Sequence, residues 1–218
     1  MERFLEAPSV VFRVWRIPVT ETVVSSWVIM GLVLVAGYAM TRRLQYRPRG
    51  IQTALELFVK AFKSLISMAR GPGRMGFLSY MGALTIFILF ANFSGILGLR
   101  PPTSDLNITM GLAILTFLIV QYYGMRAQGV GGYIKTLGEP FILLMPMNII
   151  GELARPVSLG MRLFGNILGG SIIMGMIYST FPAVIPVPFH LYFDLFVGAL
   201  QTFIFVMLTM VFIRLALD

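Results

Sequence analysis

From Pro140 to Phe181 the chain stays apolar for about 42 residues, interrupted only by the charges of Glu152, Arg155 and Arg162. As one straight helix such a stretch would run about 63 Å at 1.5 Å per residue. That is twice the roughly 30 Å hydrocarbon thickness of a bilayer. Pro146 and Pro156 are expected to break it. Two arrangements fit: two full spans, or a short segment followed by a long, strongly tilted helix. Either way the bilayer has to be the solvent. The 218 residues are 57% hydrophobic and 12% charged, against roughly 25% charged in a soluble domain. The weak alternation of an outer-membrane barrel is absent. The expected fold is an all-α integral membrane protein.

Five further apolar or amphipathic stretches complete a single membrane domain over 1–218. Residues 1–20 read as a short outer tail. Thr22 to Met40 (22–40) is the first span, and Arg42, Arg43, Arg47 and Arg49 follow it at once. Positive charge collects on the cytoplasmic side, so the N-terminus is expected outside despite Arg3, Arg13 and Arg16. Ile51 to Arg70 (51–70) places Ile51, Leu55, Phe58, Phe62 and Leu65 on one helical face and Gln52, Glu56, Lys60 and Lys63 on the other. That pattern reads as an amphipathic helix lying in the interface. Phe77 to Leu97 and Ile108 to Tyr123 (77–97 and 108–123) form a hairpin of spans, the second rather short. The loop Gly98 to Asn107 carries one base, Arg100, and fits the outer face. Gly124 to Glu139, rich in glycine with Arg126 and Lys135, fits a cytoplasmic connection. The regions 140–181 and 189–217 close the chain, separated by Pro182, Pro186 and Pro188. The total is about five membrane helices plus the interfacial one, with the C-terminus cytoplasmic.

Composition also excludes. Net charge is +8, and eight of the 17 lysines and arginines lie between Arg42 and Arg74. In a membrane protein the positive-inside rule accounts for that cluster, so no nucleic-acid partner is expected. With no cysteine and one histidine, thiolate chemistry and His-rich metal sites are out of reach. No cleavable signal peptide is evident, no internal repeat stands out, and no soluble portion is large enough for a nucleotide site. HExxH and GxSxG are missing, which argues against an intramembrane hydrolase.

The polar residues inside the last two helices carry the chemistry. Arg155, Ser158, Arg162, Asn166 and Gly169 are spaced three, four, four and three apart, one stripe on a helix. Gly165, Gly169, Gly170 and Ser171 lie on or near it, and small residues let another helix approach closely. His190, Asp194, Gly198 and Gln201 make a second stripe at intervals of four, four and three. An intramembrane arginine is expensive and needs a partner, a wet cavity or a function. Its guanidinium does not lose its proton, so it can act only as a fixed charge. Spacing alone leaves alternatives open: Arg162 paired with Glu152 or Asp194, Arg155 snorkelling to the interface, His190 sitting interfacially, and Asn166 merely bonding two helices together. A secondary ion-coupled transporter would also hold an intramembrane Arg and Asp, but more often with repeats and broken helices in both halves.

The string PVSLGMRLFGN from Pro156 to Asn166 resembles the signature of the a subunit of F-type ATP synthases, the membrane stator of a rotary motor. FVGALQTFIFVMLTMVFI from Phe196 to Ile213 resembles that family's last helix, and RPPTSDLNITM from Arg100 to Met110 its segment before the third span. The resemblance implies that Arg162 is the essential gate and Asn166 the asparagine one turn on. It implies that Gln201 faces that arginine. Asp194 stands where members carry histidine or an acid, and Ser171 where some carry glutamate or histidine. It further implies long helices tilted against a ring of c subunits, with Gly165, Gly169 and Gly170 as ring contacts. Two offset half-channels follow, with Asp194, Gln201 and His190 on the outer one and Glu152 and Arg155 as weaker candidates on the inner. The implied partners are the c-ring, b-type peripheral stalk subunits and the rest of the F1F0 complex, in a bacterial inner membrane. No cofactor is implied, and no catalytic role for this chain alone. The choice between H⁺ and Na⁺ stays open.

Overall fold

The computed structural model describes residues 9–14, 17–42, 75–97, 100–138, 141–180 and 185–217, with a few positions between 50 and 64. Five helices among them are long and apolar enough to cross a membrane. They are α1 (Glu21–Thr41), α2 (Met75–Phe93), α3 (Leu106–Leu137), α4 (Met145–Thr180) and α5 (Pro186–Leu217). The chain is an all-α, multi-pass membrane protein.

Ahead of α1 the tail forms an antiparallel hairpin, β1 (Val10–Val14) and β2 (Ile17–Thr20). Its β-branched and aromatic residues suit a strand, and Pro18 opposite Arg13 costs little in a two-stranded ribbon with free edges. The Glu21 backbone N–H donates to the Ser9 carbonyl at 2.9 Å, fastening the hairpin to α1. Helix α1 buries only Thr22, Ser26 and Ile29, while Leu34 and Val35 are 72% and 70% exposed. It lies at the edge of the bundle. The interfacial helix expected over 51–70 falls mostly outside the described residues, as do Arg43, Arg47 and Arg49. The described positions 52–53, 56–57, 59–60 and 64 are helical, and Gln52 Nε2 donates to Glu56 Oε1 at 3.0 Å.

Helices α2 to α5 make the core. Met81, Ile88, Ala113, Leu163, Phe205 and Met210 are buried at its centre. In lipid, helices associate through close packing rather than through the hydrophobic effect, and three glycines mark the contacts. A Cβ on Gly160 would meet Met110 Sδ at 2.6 Å and the Met110 Cα at 3.3 Å, so α4 lies tightly on α3 there. A Cβ on Gly198 would meet Asn92 Cβ at 3.0 Å, where α5 meets α2. Gly124 fits between Tyr133 and the Ala216 carbonyl.

Two expectations change. The glycine-rich segment from Gly124 is not a loop, because α3 continues to Leu137. Gly129, at φ 75° and ψ 158°, interrupts the helix without ending it. Glycine weakens a helix by about 1 kcal/mol, but here tertiary contacts hold the extension: Gln128 Nε2 donates to the Ala216 carbonyl at 3.3 Å and Tyr133 to Glu152 at 3.2 Å. Pro156 does not break α4. The helix runs 36 residues, about 54 Å, with Pro156 buried inside it and Pro146 in the first turn, where proline is tolerated. After a 3₁₀ turn at Ile142–Leu144, a single long helix therefore follows, the second of the two arrangements left open. The segment that joins α2 to α3 folds into the bundle. Arg100, Pro101, Pro102, Thr103 and Asp105 are all buried. Thr22 Oγ1 donates to Asp105 at 2.8 Å, Thr103 Oγ1 to Asn92 Oδ1 at 2.9 Å, and Asp105 caps α3 by accepting the Asn107 N–H at 2.9 Å. With each polar group paired, the segment folds into the bundle at low cost.

Candidate functional site

The second half of α4 and the first half of α5 part to leave a half-open cleft of about 850 Å³. All four residues of the α5 stripe, His190, Asp194, Gly198 and Gln201, line it, with Asn166, Gly170 and Ser171 from α4. A π-helical stretch, Leu191–Val197, carries Asp194 in the cleft wall. Such wider turns are rare and frequently sit at functional sites. Gly95 and Pro101, from the segment between α2 and α3, also line the cleft. A methyl group on Gly95 would sit 3.3 Å from the Asp194 carboxyl carbon, so this glycine leaves room for the carboxylate.

Polar contacts run along the cleft. Tyr178 Oη lies 2.8 Å from His190 Nε2, and His190 Nδ1 lies 2.7 Å from Asp194 Oδ2. Ser171 turns back on its own helix, donating to the Ile167 carbonyl at 2.6 Å. Deeper in, Asn166 Nδ2 donates to Gln201 Oε1, joining the two stripes. Gln201 is 1% exposed, and among the described residues its Nε2 has no hydrogen-bond partner. An orphaned buried donor costs about 1–3 kcal/mol, so this amide is poised for a water or an incoming oxygen acceptor.

Arg162 lies one turn before Asn166, on an exposed face of α4. Neither acid that spacing offered it is available. Glu152 holds Arg155 at 2.5 Å, and Asp194 holds His190. Among the described residues no hydrogen bond or ion pair reaches the Arg162 guanidinium. Gly165 and Gly169 follow it at three and seven residues, and a Cβ on either would meet nothing within 4 Å. The same side of the helix thus presents a permanent cation followed by two open backbone positions. Gly170 departs from the expected ring-contact group, since Phe193 of α5 lies 3.5 Å from where its Cβ would be.

The other end of the α4 stripe is closed. The Glu152 carboxylate accepts from Gln121 Nε2 and from Tyr133 Oη and pairs with Arg155. The Arg155 guanidinium sits 5.3 Å from the Phe212 ring centroid, so it packs inward against α5 instead of snorkelling. A cavity of about 10 Å³ beside Thr116, Glu152 and Arg155 holds room for about one water. Ser158 is exposed and lies outside both clusters.

Sequence spacing did not find Tyr178, Gln121, Tyr133 or Asn92. Tyr178 lies twelve residues before its partner His190. Asn92 donates to the Gly198 carbonyl at 3.1 Å, 106 residues away. Neither separation leaves a periodic signal. Among the described residues no three His, Asp or Glu side chains converge to hold a metal ion.

Comparison with known proteins bears on this geometry. A family model described as ATP synthase A chain matches residues 23–214. The chain is 38% identical over 207 residues to the ATP synthase subunit a of Moorella thermoacetica, spanning 94% of both chains. It is 37% identical over 217 residues to a Propionigenium modestum protein named ATP synthase subunit a, sodium ion specific, covering 92% of this chain and 75% of that one. Over 209 residues it is 35% identical to ATP synthase subunit a 2 of a Bradyrhizobium species, covering 95% and 93%.

Proposed function

The chain belongs to the ATP synthase subunit a family, the ion-translocating stators of the F0 sector, and from this we propose that Arg162 is the gate between two offset half-channels. The observation that carries the proposal is Arg162 on an open α4 face, unpaired among the described residues and one turn from the Asn166–Gln201 bridge. A ring of c subunits fits that face, each presenting one carboxylate. Facing lipid, the carboxylate has to be neutral, since an isolated charge there is too costly. Beside Arg162 it ionises and releases its ion. The fixed cation then stops ions from crossing directly, so each rides the ring through most of a turn. The driving force is about 2.3 kcal/mol per charge per 100 mV.

The cleft lined by His190, Asp194 and Gln201 is the outer half-channel in this scheme. Charge supports the orientation. Gly95, Asp105, Tyr178 and Asp194 gather at one end of the bundle, while Arg42, Lys135 and Arg214 lie at helix ends of the other. By the positive-inside rule the second end is cytoplasmic, which puts the N-terminus outside and the C-terminus inside. Helices of 36 and 32 residues exceed a bilayer's roughly 30 Å core, so α4 and α5 tilt along the ring. The chain itself performs no covalent chemistry. It works with the c-ring, b-type stalk subunits and the rest of the F1F0 complex in a bacterial inner membrane.

The chain has no cysteine, which makes the test clean. Gly165→Cys and Gly169→Cys are expected to cross-link to cysteines on the outer ring helix in the assembled complex, and Leu34→Cys on α1 is not. Cross-linking from Leu34 but from neither glycine would refute the placement.

A further inference from the structure

We propose that Asn92 is a positioning residue that holds the π-helical turn of α5, and with it the angle at which α5 presents Asp194 to the cleft. This rests on the cleft being the outer half-channel. A wider turn gives up the i to i−4 hydrogen bonds of the α-helix, so the stretch Leu191–Val197 needs a hold from outside. Asn92, on the last turn of α2, supplies one. Its Nδ2 donates to the Gly198 carbonyl at 3.1 Å and to Thr202 Oγ1 at 3.3 Å. Gly198 is the first residue after the wide turn, and Thr202 lies one α-helical turn further on. The Gly198 carbonyl can only accept, so the NH₂ of the amide faces α5 and its oxygen is left for another donor. Thr103 Oγ1 is that donor, at 2.9 Å. Asn92, Thr103 and Thr202 are all fully buried.

The approach is close. A Cβ on Gly198 would meet Asn92 Cβ at 3.0 Å, so α5 reaches the amide because this position is glycine. Three residues after Asn92, a Cβ on Gly95 would lie 3.4 Å from each Asp194 carboxylate oxygen. Asn92 holds the backbone just after the turn, and Gly95 clears space for the side chain within it. The lever is rotational. Each residue of an α-helix turns the chain by about 100°. If the stretch closed to an ordinary α-helix, the residues before Gly198 would turn by up to about that angle relative to Gln201, which Asn166 bridges from α4. Asp194 and His190 would then leave the cleft wall while Gln201 stayed. Asn92 is not among the residues that line the cleft, so it acts through the α5 backbone and not on the ion.

The test uses the assembled complex. The chain has no cysteine, and a Cβ on Gly170 would lie 3.8 Å from the Phe193 Cβ, the separation found in a disulfide. Gly170→Cys with Phe193→Cys therefore reports the rotational setting of the turn by oxidative cross-linking. Asn92→Leu nearly keeps the volume and loses both hydrogen bonds to α5. It is expected to cut the cross-link several-fold. Without the cysteine pair, the same variant is expected to lower ATP synthesis about tenfold at unchanged complex content. Thr103→Val leaves Asn92 in place and removes the donor to its oxygen. It is expected to give a milder loss of both signals, which Thr103→Ser restores, and this pair decides the matter if Asn92→Leu fails to assemble. Wild-type cross-linking in Asn92→Leu and Thr103→Val, whatever their activity or yield, overturns the positioning role. Loss of the cross-link with synthesis at the wild-type rate keeps Asn92 as the hold on the turn and refutes the cleft as the ion path.

Discussion

Arg162 and Arg155 sit seven positions apart on one helix and have opposite surroundings. Arg155 is tied to Glu152 and lies over Phe212, whereas no acid among the described residues pairs with Arg162. A charge at membrane depth costs from about 2.5 to more than 10 kcal/mol depending on the method. Leaving it open therefore makes sense only if something outside the chain pairs with it in turn. Glu152 has a holding role, which its three donors make testable. Glu152→Gln is expected to destabilise the assembled complex by about 1–3 kcal/mol, seen as faster thermal inactivation, with residual pumping still coupled. Loss of coupling at wild-type stability would instead return Glu152 to the ion path. Gln201 is the converse case. Among the described residues its Nε2 is already unpaired, so Gln201→Leu removes an orphaned donor together with the single bond from Asn166 and is expected to destabilise by no more than about 1.5 kcal/mol. ATP-driven pumping should nevertheless fall sharply, because the amide serves the ion and not the fold. A matching loss of stability and pumping would make it a structural residue.

At the level of helices, glycine has two separate uses along α4. Gly160 is where α3 presses closest, and a side chain there collides with the Met110 backbone as well as its flexible sulfur. Overpacking of that kind costs about 1–3 kcal/mol or more. Gly160→Leu is expected to reduce the amount of complex recovered from membranes. Gly165→Leu meets open space. It is expected to assemble normally and to slow ATP-driven pumping by obstructing the ring. Equal recovery for both variants would undo the distinction. The sequence exposed both polar stripes, because 3.6-residue periodicity is a local property and polar residues stand out in apolar helices. It did not reveal which glycine faces which partner, since Gly160 and Gly165 look alike until α3 is in place. Nor did it show that Gly170 is covered by Phe193, that Pro156 is accommodated, or that the Arg100–Asp105 segment is buried. Those outcomes depend on hydrogen bonds between residues as far apart as Thr22 and Asp105, which no sequence window contains. The π-helical turn at Leu191–Val197 likewise has no compositional marker.

Across the described residues, one end gathers the cleft and the buried Arg100–Asp105 segment, and the other gathers the clamp around Glu152 and the basic helix ends. The permanent cation lies between them, on a face that the described helices leave exposed. This division was largely legible in the residues, because charge placement and hydropathy record the membrane directly. The proposed through-path, blocked by one fixed charge and open only by way of a moving partner, rests on that layout. The most direct test is Arg162→Ala in the reconstituted complex, with passive proton permeability and ATP-driven pumping measured on the same vesicles. The account predicts that pumping is abolished while F1 still hydrolyses ATP, and that passive permeability rises because the barrier has gone. Pumping at the wild-type rate by that variant, with unchanged permeability, would contradict it.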